Sequence, residues 1–333
     1  VGNNVPRQLV TLGNGGGAGA SASSDITFSN NVVSGTTGGG TIGNTLVTID
    51  ASDSTVSDNT FDGFTEAGGF ALRMRRDGAE VTNNTLDHSE GGNSAGFFFQ
   101  NQTGPAADFA RNELIGGENN EMVVLTPGDD QVNGGEPAMG SDLDTMFVGN
   151  AVDIEIGDGF FTVTGTGSGV DTLVNMEKVV ATNGNFFLVG NGGFDSIQAA
   201  INAAANGDTI LVAAGTYNES LTISKGVTIL GMNAGVAGDG VRGDEAVIDG
   251  TIVVNSATAV TIDGVKVLNN EAVGAGRAEV KSLTFTTSAD HVITNTVFES
   301  AVFGGSNAIG GIRDTAIFTN VMNGGSITIT NNL

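Results

Sequence analysis

The chain has 333 residues, among them 53 Gly, only 4 Pro and neither Cys nor Trp, and its 37 acidic against 12 basic side chains leave a formal charge of −25. That charge argues against nucleic acid and anionic membrane surfaces as partners, because like charges repel. The missing Cys exclude disulfides and thiolate chemistry, and no run reaches the roughly 18 apolar residues of a membrane-inserted helix. The apolar residues come as short runs of Val, Ile, Phe, Leu and Ala, punctuated by Gly, Asn, Asp, Ser and Thr. Such a pattern is strand-and-turn chemistry, whereas disordered segments lack regularly spaced β-branched and aromatic residues. The carboxylate excess fits a chain surrounded by calcium, or one kept soluble by its charge. Val1 begins inside ordinary sequence, without an initiator Met or a signal peptide, which reads as a processed product or part of something longer.

Taken in order, the Gly-rich stretch Gly13–Gly19 lacks the Lys-Ser/Thr and the helix of a phosphate loop. A repeat then begins: an apolar residue, Asn three positions on, and a second apolar residue two after that. Its copies are Phe28, Asn31, Val33; Val56, Asn59, Phe61; Val81, Asn84, Leu86; Phe109, Asn112, Leu114; and Phe147, Asn150, Val152. In the second half, Val292, Asn295, Val297 and Ile317, Asn320, Met322 match it, while Ile262, Val265, Val267 lacks the Asn. Steps of 28 residues (28 to 56) and 25 (56 to 81) each hold three short strands and their turns. Stacked this way, each apolar side chain sits on its equivalent in the next coil, and an inward Asn bonds its neighbours above and below. The step from 109 to 147 calls for an inserted loop, for which Pro127–Ser141 has the turn residues.

These repeats resemble the right-handed parallel β-helix of pectate-lyase-like proteins. A second stretch, Phe194–Glu219 (FDSIQAAINAAANGDTILVAAGTYNE), is similar to the opening of many such proteins, where an amphipathic helix caps the first coil and a strand leads into a GTYxE turn. From the residues, Asp195 or Ser196 suits the N-cap, Ile197, Ala200, Ile201 and Ala204 form one apolar face, Asn206-Gly207 ends the helix, and Ile210–Val212 is a buried strand. The expected fold is all-β, a right-handed parallel β-helix solenoid with a short capping helix near 195–206. Its expected parts are coils lacking an N-terminal cap over 1–152, a β-rich connector over 153–192, and a second β-helix over 193–333 that starts with the helical cap and lacks a C-terminal one. The connector resembles β-rich stretches attached to calcium-binding repeats in large bacterial secreted proteins. Uncapped ends suit either a longer tandem array or coils that stack head to tail between copies.

Lyases of the resembled fold set a basic residue beside calcium-binding carboxylates, and the basic cluster here is Arg73, Arg75 and Arg76. Strand alternation puts Arg73 and Arg75 on one face, with Asp53, Asp58, Asp62 or Asp77 as prospective neighbours in a uronate site. Surface arginines paired with surplus carboxylates is the plainer reading. The Tyr, His and Asp grouping that the related epimerases imply is not evident: Tyr217 lies in the GTYNE turn, and His88 and His291 are far apart. Phe97 and Phe99 share a face as core residues, which leaves Phe98 as a prospective sugar platform. Gly128–Gly135 resembles one degenerate calcium nonapeptide unit and Gly140–Asp144 a weaker one, implying calcium at Asp129, Asp130, Asp142 and Asp144, although the intervening EPAM breaks the run. The expectation is a secreted or cell-surface structural or adhesive module whose partner is itself, with calcium as its ion. An acidic-polysaccharide lyase, epimerase or binding protein is the alternative.

Overall fold

The computed structural model describes residues 8–13, 23–34, 45–62, 70–74, 80–87, 97–99, 109–110, 113–115, 122–124, 131–134, 143–165, 169–269, 281–287, 289–300, 315–319 and 325–333. These residues are mostly strands, almost all paired in parallel, with one helix, Ile197–Ala203. The chain divides into two compact units, one of Val1–Glu155 with Phe160–Asn183, the other of Ile156–Gly159 with Gly184–Leu333.

In the first unit the chain visits three sheets in a fixed order. Thr45–Ser52, Thr55–Ser57 and Thr60–Asp62 each enter a different sheet, and Phe70–Met74, Glu80–Thr82 and Thr85–Asp87 then return to the same three. The Asn-containing repeat is the register of this stacking. Phe28 lies beside Val56, Val56 beside Val81 and Val81 beside Phe109, while Val33, Phe61, Leu86 and Leu114 form a second column. Val56, Phe61 and Val81 are fully buried. Single left-handed residues make the corners: Asp25 and Asp53 at one, Asn30, Asp58 and Asn83 at the next, with φ between 52° and 59°. Asp and Asn are the non-glycine residues that tolerate this conformation best.

The fifth copy of the repeat does not join these columns. Phe147 pairs with Val124 and Val180 in another sheet, and the place beside Leu114 is taken by Val132. The stretch expected to be an inserted loop therefore contains a strand, Gln131–Asn133, whose Val132 is buried and pairs onward with Leu173. Its flanking Gly, Pro and Asp residues obscured a three-residue strand that needs one apolar side chain. Phe161–Gly165 and Gly169–Val174 form an antiparallel hairpin at the same sheet.

In the second unit, three strands again recur in order. Thr209–Val212, Gly215–Tyr217 and Leu221–Ile223 are followed by Thr228–Gly231, Ala246–Asp249 and Ile252–Val254, and then by two further sets. Two register columns are aliphatic, Ile210, Ile229, Ile262, Ile293 and Ile329 in one, Leu221, Ile252, Leu283 and Ile317 in another, and Ile210, Ile229, Ile262, Ile293, Leu221, Ile252 and Leu283 are buried. Two copies of the repeat expected here are off register. Ile262 pairs with Ile293 rather than Val292, and Ile317 belongs to a different sheet. Because strand side chains alternate, a slip of one residue exchanges inside for outside, and it is Ile293 that is buried. Asn320 and Met322 lie outside the described residues.

Candidate functional site

Most of the sequence-nominated site falls outside the described residues: Arg75, Arg76, Asp77, His88, Asp129, Asp130 and Asp142. Arg73 is described as part of the strand Phe70–Met74, in register with Thr48 and Phe98, while Leu72 and Met74 continue the column of Val47 and Ile49. The same register sets Phe97 with Leu72 and Phe99 with Met74. Asp53 and Asp58 occupy left-handed corners, and Asp58 accepts a hydrogen bond from Asn83 Nδ2 (3.3 Å). Asp144 is fully buried, and its backbone N–H donates to Glu177 Oε2 (2.6 Å). Its carboxylate is of the donor type calcium takes, but the described residues contain no group of three or more His, Cys, Asp or Glu able to hold a metal ion.

The interior asparagines form a ladder. Asn59 Oδ1 accepts from Asn31 Nδ2 and from the Asn31 backbone N–H, both at 3.0 Å. Asn84 Oδ1 accepts from Asn59 Nδ2 (2.9 Å) and from the Asn59 N–H (3.1 Å). Each remaining amide hydrogen returns to a main-chain carbonyl, Asn59 Nδ2 to Phe28 and Asn84 Nδ2 to Val56 and Thr82. Every rung thus satisfies the corner N–H of the coil beside it, which would otherwise be buried without a partner.

In the second unit a groove of about 560 Å³ opens beside the helix, lined by Gly190–Gly192, Asp195 and Ser196, and Gly215–Glu219. Two of its polar side chains, Ser196 and Glu219, hold the helix. Glu219 Oε1 accepts from the Ile197 N–H (2.7 Å), and Oε2 accepts from the Gln198 N–H (3.0 Å) and from Ser196 Oγ (2.7 Å). Ser196, one of the two N-cap candidates in the sequence, is the N-cap and accepts from the Ala199 N–H. At the other end, Lys225 Nζ donates to the carbonyls of Ile201, Asn202 and Ala204. An anion at the positive end and a cation at the negative end both favour the helix dipole. Ile197, Ala200, Ile201 and Ala204 face the core as expected. The helix stops at Ala203, earlier than 206, where Lys225 takes its last carbonyls and Asp208 Oδ2 accepts from the Ala205 N–H.

Tyr217 donates its hydroxyl to the Ala213 carbonyl (3.0 Å). Burial, reinforced by the Glu219 carboxylate, pushes its pKa up to about 12. At neutral pH it is therefore a fixed donor and no general base. Sequence reasoning flagged the GTYNE motif but gave neither Glu219 nor Lys225 a role. Their partners lie more than 20 residues away, so no local spacing marks them.

No family model, curated protein or solved structure matches the chain.

Proposed function

We propose that both units are segments of right-handed parallel β-helix, and that the chain is a secreted or cell-surface structural or adhesive module which stacks head to tail with copies of itself. The observation that carries this reading is where the interior polar chemistry goes. The Asn31–Asn59–Asn84 ladder and the Glu219 and Lys225 clamps bind one coil, or the helix, to the next. A stack held in this way extends by adding coils, because each edge strand offers the register that the previous one used. Calcium enters this reading through the surplus of 25 acidic charges and through Asp129, Asp130, Asp142 and Asp144.

The test is negative-stain electron microscopy of the purified chain with calcium and then with a chelator. The expected result is thin filaments or stacked arrays that come apart when calcium is withdrawn. Single short particles under both conditions would reject self-assembly and turn attention to acidic polysaccharides at Arg73, Arg75 and Arg76.

A further inference from the structure

His291 begins the strand His291–Thr294, and its side chain is fully buried. Nδ1 accepts a hydrogen bond from the Val260 N–H (3.2 Å) on the neighbouring coil, so the ring proton resides on Nε2. Nε2 makes no hydrogen bond of good geometry, although the Thr287 backbone pulls on the ring less strongly than burial does. The ring packs against Phe285, with centroids 5.2 Å apart. Few charges are at hand to stabilise an imidazolium here. Asp290, the preceding residue, acts on the ring, but its exposed carboxylate is itself held by Ser326 through the backbone N–H (3.0 Å) and Oγ (2.8 Å). On the neighbouring strand Thr261–Asp263, the Asp263 carboxylate accepts from Asn295 Nδ2 and the Gly235 N–H. The strand Lys281–Phe285 carries its charge at the end away from Phe285, and Ser256–Val260 and Ile327–Thr330 carry none.

We propose that His291 is an acid-sensitive latch, which holds the neighbouring coils together while neutral and releases them when protonated. Protonation turns Nδ1 from an acceptor into a donor facing the Val260 N–H donor, and leaves a cation in the apolar column beside Phe285. The bond between coils is then lost, and a buried charge remains without a counter-charge in contact. The sign follows from burial. It holds the His291 pKa below its ordinary value, against smaller opposing pulls from the Thr287 backbone and Asp290. The unfolded chain therefore binds the proton more readily than the folded one. The latch is intact above the unfolded value of about 6.5 and weakens as pH falls through it towards the lower folded value. The region that loosens is the pair of strands His291–Thr294 and Ile327–Thr330, together with their contacts to Thr261–Asp263.

The test is amide hydrogen exchange on the full chain at about pH 7.5 and about pH 5, corrected for the intrinsic pH dependence of exchange. Wild type and His291→Gln, which keeps an acceptor but does not titrate, are compared. Acid is expected to speed exchange at Val260, Val292 and Ile293 by about tenfold for each unit by which the folded pKa is depressed, and the Gln variant to lose that response. An equal acid response in both proteins overturns the proposal. Should the Gln variant fold poorly, the imidazole signal of wild type decides instead, assigned against His88→Ala. Titration at or above about 6.5 with native signals retained overturns the latch, and a lower value with acid-broadened signals from these strands supports it.

Discussion

The two units turn comparable corners with different chemistry. In the first, the residue after the left-handed Asn30, Asp58 or Asn83 is always Asn, and Asn31, Asn59 and Asn84 join into one buried amide ladder. In the second, the residue after Gly264, Asn295 and Asn331 is Val265, Thr296 and Asn332 in turn. There one rung of the same kind remains, with Asn332 Oδ1 accepting from the Thr296 N–H (2.7 Å) and Asn332 Nδ2 donating to the Ile293 carbonyl. The second unit places charged clamps elsewhere, among them those at the two ends of its helix. At these six positions the corner keeps a left-handed residue, whereas an amide ladder is one of several ways to complete it.

The largest test of that contrast is Asn59→Ala, at the middle of the ladder. It removes the acceptor for Asn31 and strands buried polar groups on both sides, which costs about 3 kcal/mol. Guanidinium unfolding of the first unit should show the loss, with the second unit's transition unmoved. A change below about 0.5 kcal/mol would mean that water replaces the rung and that the ladder is not what holds these coils. Next in size is the helix clamp. Glu219→Ala should destabilise the second unit by about 2 kcal/mol, since three donors lose one carboxylate, and Lys225→Ala by about 1 kcal/mol, since helix C-terminal carbonyls can turn to water. The reverse order would place the weight of the cap at its C-terminal end. The smallest effect concerns Tyr217, the chain's single tyrosine in a protein without Trp, so ultraviolet absorbance of tyrosinate reports on it alone. It should titrate near 12 in the folded chain and near the ordinary 10 once denatured. Its contribution to stability is complete below about pH 10 and is lost as pH rises through 12. A folded value near 10 would mean that its hydroxyl is solvated and that the groove is open down to its floor.

Local chemistry made much of this readable. Asn31, Asn59 and Asn84 stand out because the same side chain must recur at coil spacing to bond its own kind, and Ile197, Ala200, Ile201 and Ala204 because a helix repeats its buried face every three or four residues. The strand Gln131–Asn133 was hidden because its neighbours are turn residues and its burial rests on Val132 alone. Arg73 was legible as a strand residue from its alternation with Leu72 and Met74, but alternation names a face and not what faces it.

The sequence by itself determined the all-β character, the Asn-marked stacking of the first unit, and a short helix capped at Asp195 or Ser196, since each follows from propensity and from periodicities that a local window contains. Only the tertiary structure decided that Ile293 rather than Val292 joins the isoleucine column, that Glu219 and Lys225 close the helix, and that His291 lies buried against Phe285. Those outcomes depend on which coil lies beside which, and a one-residue shift in register costs nothing in local propensity while it exchanges every inward side chain for an outward one.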